Sequence, residues 1–120
     1  MFKMIALIPR KPGMTREEFI DYYENSHVPL ILSHFRHMRR YLRNYPQGEN
    51  VHYAGRETSP EVCYDAVMEQ WFDSRADYEA MIDHFDKNPE IARAVAEDEE
   101  RFCDKSRILM FAVEECESAL

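Results

Sequence analysis

At 120 residues and 45% hydrophobic composition, the chain carries enough apolar side chains for one core and too few for two, so residues 1–120 are read as a single domain. A formal charge of −8, with Arg36, Arg39, Arg40 and Arg43 interleaved among apolar residues, excludes nucleic acid as a partner. No apolar run reaches the length of a membrane span and the opening MFKMIALIP is too short for a signal peptide, so the expected setting is cytoplasmic, with Cys63, Cys103 and Cys116 as reduced thiols.

Phe2 to Ile8 is an apolar run stopped by Pro9 and the Pro12-Gly13 turn, which predicts a buried first strand. Thr15 followed by Glu18 forms a capping box, opening a helix that runs to about Ser26 or His27. Along it Phe19, Tyr23, Ser26 and Leu30 share one stripe, flanked by Ile20, His27 and Ile31. Pro29 kinks this region without ending it, since Leu30, Ile31, Leu32 and Phe35 supply a further turn. Met38 to Tyr45 alternates as a second strand closed by Pro46-Gln47-Gly48.

The segment from Gln47 to Cys63 lacks periodicity, and loops of that length tend to be lids, dimer arms or mobile segments. Asp65 to Phe72 is a third strand, and Ser74 with Asp77 caps a helix through Met81 and His84. Asn88-Pro89 reopens a helix along which Ile91, Val95, Glu99 and Phe102 progress. Arg107 to Val113 is the last strand, with Ile108, Met110 and Ala112 on one face and Leu109, Phe111 and Val113 on the other. The order is βαββαβ with the second helical region split. Helices cover one side of such a sheet, so a last strand apolar on both faces calls for a second copy against the other side.

His27, at the edge of an apolar helix face, is either a helix-ending residue bonded to a freed carbonyl or an acid/base. On the third strand Asp65, Val67, Glu69 and Trp71 share a face. If that face meets the helices, Asp65 or Glu69 can orient the His27 imidazole for general acid/base work in a pocket lined by Phe19, Tyr23, Tyr41, Trp71, Met81 and Phe85. The alternative pairs both carboxylates with Arg39, Arg43 or Arg107 across the sheet. His34-x-x-His37 has a spacing two metal ligands can use, but it lacks a third ligand and sits among arginines, so no metal is expected. His52 and His84 are read as solvated or capping. With three glycines there is no phosphate-cradling loop, no nucleophile elbow and no nucleotide fingerprint, and no cofactor is expected.

The run RKPGMTREEF from Arg10, the run YYENSHVPL from Tyr22, and Tyr64-Asp65 leading to EQWFD at Glu69 together resemble the signature of the EthD family. The resemblance extends from Lys3 to about Val113 and departs in the loop before Tyr64. It implies an α+β, ferredoxin-like βαββαβ chain with a four-stranded antiparallel sheet, paired with a second copy as a dimeric α/β barrel. Similar proteins include tailoring dehydratases and decarboxylases of aromatic polyketides and bacterial members associated with xenobiotic breakdown. The expected activity is therefore a cofactor-free lyase or isomerase acting on a small oxygenated aromatic or polyketide-like molecule. A cofactor-free monooxygenase and a non-catalytic small-molecule-binding protein are the alternatives.

Overall fold

Alternation along β1 (Phe2–Ile8) sets the layering: Met4, Ala6 and Ile8 are buried, while Lys3, Ile5 and Leu7 stay partly exposed. The computed structural model describes residues 1–48 and 62–120, so most of the expected long loop, His52 included, lies outside the described residues. β1 pairs antiparallel with β3 (Ala66–Phe72) on one side and β4 (Leu109–Val113) on the other, and β2 (Arg40–Asn44) pairs antiparallel with β3. The sheet order is β2-β3-β1-β4, the four-stranded antiparallel arrangement of a ferredoxin-like α+β chain.

The helices lie against the face formed by Met4, Ala6, Ile8, Ala66, Met68, Gln70 and Phe72. Thr15 opens α1 (Arg16–Tyr22) with both arms of the expected capping box, its side chain accepting from Glu18 N–H at 3.1 Å and its own N–H donating to Glu18 Oε1 at 3.1 Å. Ser74 caps α3 (Arg75–Lys87), and Pro89 begins α4 (Pro89–Glu100) directly after it. Among the described residues no helix is long and apolar enough to cross a membrane.

The first helical region departs from the expected kinked α-helix. Between α1 and α2 (Val28–His34) the chain makes one wide π turn, Tyr23–His27, closed by Val28 N–H donating to Tyr23 O. Pro29 explains the widening, since it has no N–H to give Asn25 and its ring crowds that carbonyl in an α-helix. The wide turn also corrects the expected stripe. Residues four apart now stack, so Phe19, Tyr23, His27 and Ile31 are buried, whereas Ser26 is exposed and Leu30 only half-buried.

Candidate active site

Between the inner sheet face and the helices lies a cavity of about 180 Å³. Ala6, Tyr41, Met68 and Gln70 form its floor, Met81 and Phe85 of α3 one wall, and Phe102 and Cys103 beyond α4 another. His27 borders it from the π turn. A larger open groove of about 1040 Å³ on the far side of the sheet, beside Lys3, Arg40, Trp71 and Glu115, is walled by charged groups and holds no histidine.

His27 is only 5% exposed and its Nδ1 lies 2.8 Å from Oδ2 of Asp98, itself 6% exposed. Asp98 reaches this place because the chain beyond α4 is stitched to the segment after β1. Lys11 N–H donates to Phe102 O at 2.9 Å and Asp104 N–H to Pro9 O at 3.0 Å. The other Asp98 oxygen accepts from the Tyr22 hydroxyl at 2.6 Å and from Arg101 at 3.2 Å. Burial works against the Asp98 charge, yet the bonds from Tyr22 and His27 outweigh it and hold the carboxyl below its ordinary range.

An ionised carboxylate can only accept, so Nδ1 of His27 carries the proton and Nε2 keeps the lone pair. Burial depresses the His27 pKa, against the upward pull of Asp98, which leaves the imidazole neutral near pH 7. The ring packs on Phe102 with centroids 4.8 Å apart and edge-on to Tyr23 at 5.5 Å. The π turn that presents His27 is clamped to β2. Arg43 donates to both oxygens of Glu24 at 2.7 and 2.8 Å, and the Tyr45 hydroxyl donates to the same carboxylate.

Two phenols border the cavity. The Tyr41 hydroxyl stands 3.5 Å from that of Tyr23, and burial pushes the Tyr41 pKa up to about 12, so it remains a proton-bearing donor. Burial likewise pushes the Cys103 thiol up, so it borders the cavity as a neutral group. Glu99 reaches the same space, its carboxyl pushed up by burial and 3.8 Å from Lys105 Nζ.

Of the residues expected from sequence, the structure brings His27, Tyr23, Tyr41, Met81 and Phe85 to the cavity. Phe19 lies behind Tyr23 in the core, its ring 5.6 Å from that of Phe102. Asp65, Glu69 and Trp71 correct the expectation, because their face of β3 points away from the helices. Turning two carboxylates into the core costs more than burying Ala66, Met68 and Phe72 there. Asp65 instead accepts the Arg10 N–H at 2.8 Å, and Glu69 takes the Lys3 ammonium at 2.7 Å rather than any arginine across the sheet. Trp71 lies under Lys3 and Arg40, at 4.3 and 5.0 Å.

Asp98 is the residue that sequence reasoning missed. Its signal is a single carboxylate within the stripe Ile91, Val95, Asp98 and Phe102. His34 and His37 border a separate small pocket with His84, and among the described residues no group of three or more His, Cys, Asp or Glu is placed to hold a metal.

No curated protein sequence matches the chain. Among solved structures it is similar to an ethyl tert-butyl ether D (EthD) family protein from Bacillus halodurans C-125, with 17% identity over 97% of this chain and 100% of that one and a TM-score of 0.64. It is also similar to a protein from Arabidopsis thaliana, with 15% identity over 100% of both chains and a TM-score of 0.60. At such identities the likeness speaks for the fold. The family itself is settled by the EthD domain model, which matches residues 11–106 and so takes in α1, the π turn with His27, strands β2 and β3, and Asp98. The chain belongs to the EthD domain family.

Proposed function

We propose that this protein is a lyase or isomerase working through its own side chains on a small oxygenated molecule, with His27 as general base and then general acid. The observation that carries this is the His27–Asp98 bond of 2.8 Å, buried at the border of an otherwise largely apolar cavity. Nε2 takes a proton from a carbon beside a carbonyl, and the C–H electron pair passes into an enolate. A hydroxyl from Tyr41 or Tyr23 donates to the enolate oxygen, and Asp98 stabilises the imidazolium. Where the enolate is conjugated with a further double bond, returning the proton to the far carbon of that dienolate shifts the double bond and gives isomerisation. Returning it to a departing β-hydroxyl gives loss of water.

The proposed working unit is a homodimer built sheet against sheet. Its support is the outer sheet face, where Leu7 pairs with Val67 on one side and Leu109 on the other and Ile5 pairs with Phe111, Leu109 and Phe111 being 50% and 42% exposed.

A panel of monocyclic 3-hydroxy ketones in D2O tests the chemistry, with enone absorbance reporting loss of water and NMR reporting deuterium at the α-carbon. His27→Ala is expected to stay folded and lose on the order of 10²-fold or more in rate. Equal rates in wild type and folded His27→Ala would refute the role of His27. Recovery of bound ketones unchanged and unlabelled would refute catalysis in favour of binding alone.

A further inference from the structure

The helix α4 and the chain just beyond it present Val95, Glu99, Phe102 and Cys103 to the cavity, a succession that follows one helix face. Apolar side chains are what such a face ordinarily carries, and a carboxylate set among them costs free energy. The Glu99 side chain is 33% exposed and lines the cavity, so an occupant can meet it. After burial itself, the Glu99 charge is the largest influence holding the Cys103 thiol up, and behind burial a smaller effect of the same sign reaches Tyr41. Both groups line the cavity, so the field of Glu99 is felt inside it.

No cation answers that charge from within. Among the described residues lining the cavity there is neither Lys nor Arg. Lys105 stands outside, its ammonium 3.8 Å from Glu99 Oε1, beyond hydrogen-bond reach, and it donates instead to Ala96 O at 3.4 Å. Asp98, next to Glu99 in the chain, adds a second negative charge behind the His27 ring, and the ring itself, held below its ordinary pKa chiefly by burial, is neutral and does not offset them. Between walls of low polarity, a carboxylate brought near Glu99 is repelled far more strongly than in water. Size sets a second limit: an apolar cavity of roughly 150 Å³ accepts benzene, so the cavity of about 180 Å³ here holds one ring with a small substituent.

We propose that Glu99 is a specificity-determining residue that turns carboxylate-bearing ligands away, so that the cavity takes uncharged or cationic single-ring compounds. This deepens the function proposed above and rests on the same cavity, but it concerns recognition rather than proton transfer. It also narrows the reaction. Loss of carbon dioxide starts from a carboxylate and is not served by such a cavity, whereas loss of water from an uncharged hydroxy ketone is.

Titration calorimetry at about pH 8, where the His27 imidazole is neutral, tests this with benzamide, benzamidine and benzoate, ligands of one shape that are uncharged, cationic and anionic. Wild type is expected to bind benzoate more weakly than either of the others, by on the order of 10-fold or more. Glu99→Gln keeps the shape of the side chain and removes its charge, and should narrow the gap between benzamidine and benzoate by a similar factor. Lys105→Met leaves the Glu99 charge uncompensated and should widen that gap. Carbon-13 NMR of the Glu99 carboxyl reads its ionisation, and benzamidine is expected to move the signal.

Benzoate bound by wild type as tightly as benzamide, an equal gap in wild type and folded Glu99→Gln, or a protonated Glu99 at that pH would overturn the proposal. Failure of wild type to bind benzamide and benzamidine would overturn the single-ring assignment. These titrations need no turnover, so the two ideas separate. Charge preference in a protein that turns nothing over would sink the catalytic reading and leave this one standing, whereas turnover without charge preference would do the reverse.

Discussion

Replacing Asp98 with asparagine keeps the side-chain volume beside His27 and changes charge and hydrogen-bonding capacity. In the wild type one carboxylate oxygen accepts from Tyr22 at 2.6 Å and the other from His27 Nδ1 at 2.8 Å. Bonds to a charged acceptor contribute about 1.5–3 kcal/mol and neutral ones about 0.5–1.5 kcal/mol. Converting two of them therefore costs roughly 2 kcal/mol, which for a domain of this size lowers Tm by about 8 °C. Arg101, on the exposed side, adds little. The larger effect is on the imidazole. With asparagine oxygen kept by Tyr22, the amide N–H faces Nδ1, which must now accept, and the ring proton moves to Nε2. The base is lost, and turnover is expected to fall by on the order of 10²–10⁴-fold in a protein still folded at 25 °C. Thermal melts followed by circular dichroism read the first effect. Nitrogen-15 NMR of the imidazole reads the second without any substrate, because an N–H nitrogen and a lone-pair nitrogen resonate far apart. A wild-type proton on Nε2, or the same tautomer in both proteins, would refute the reasoning.

Two further outcomes follow from the same geometry. Burial, its largest influence, holds His27 below its ordinary pKa of 6.5, whereas Asp98 stays below its ordinary 3.8 because bonds from Tyr22 and His27 outweigh burial. With folded values below unfolded ones, each contribution is complete above the unfolded value and is lost as pH falls through the folded one. Denaturant titrations should thus show stability declining first below about pH 6.5 and again below about pH 3.8, and a protein that gains stability between pH 6.5 and 5 would contradict the burial argument. For assembly, Phe111→Lys is expected to sediment as a folded monomer while wild type sediments as a dimer. A monomeric wild type at micromolar concentration would count against the sheet-to-sheet homodimer.

Caps and breakers are legible in the sequence because they act over three or four residues. Thr15 with Glu18, Ser74 with Asp77, and Pro89 after Asn88 each open the helix their chemistry calls for. The inward face of β3 is not a local property. Alternation separates Asp65, Val67, Glu69 and Trp71 from Ala66, Met68, Gln70 and Phe72, and only packing against the helices chooses between the two sets. Asp98 is hidden for another reason. It belongs to the acidic run Glu97-Asp98-Glu99-Glu100, which reads as a solvated helix face, and the apolar progression can be drawn through Glu99 as easily as through Asp98. What buries Asp98 is the tethering of Phe102 and Asp104 to the β1–α1 connection, a contact between segments some ninety residues apart.

The π turn makes the length of the first helical region adjustable by one residue. Dropping exposed Asn25 would bring Phe19, Tyr23, the histidine and the isoleucine to spacings of four, three and four, the period of an unbroken α-helix. The inward face would survive such a deletion, with Pro29 still unable to donate to the carbonyl one turn back, but Glu24 would turn relative to Arg43 and the imidazole would shift along the axis away from Asp98. A chain shorter by that residue would therefore keep its core face and lose the His27–Asp98 bond. When sequences of this fold are aligned, a one-residue gap between the tyrosine and the histidine marks a chain in which the imidazole and the carboxylate are expected to part.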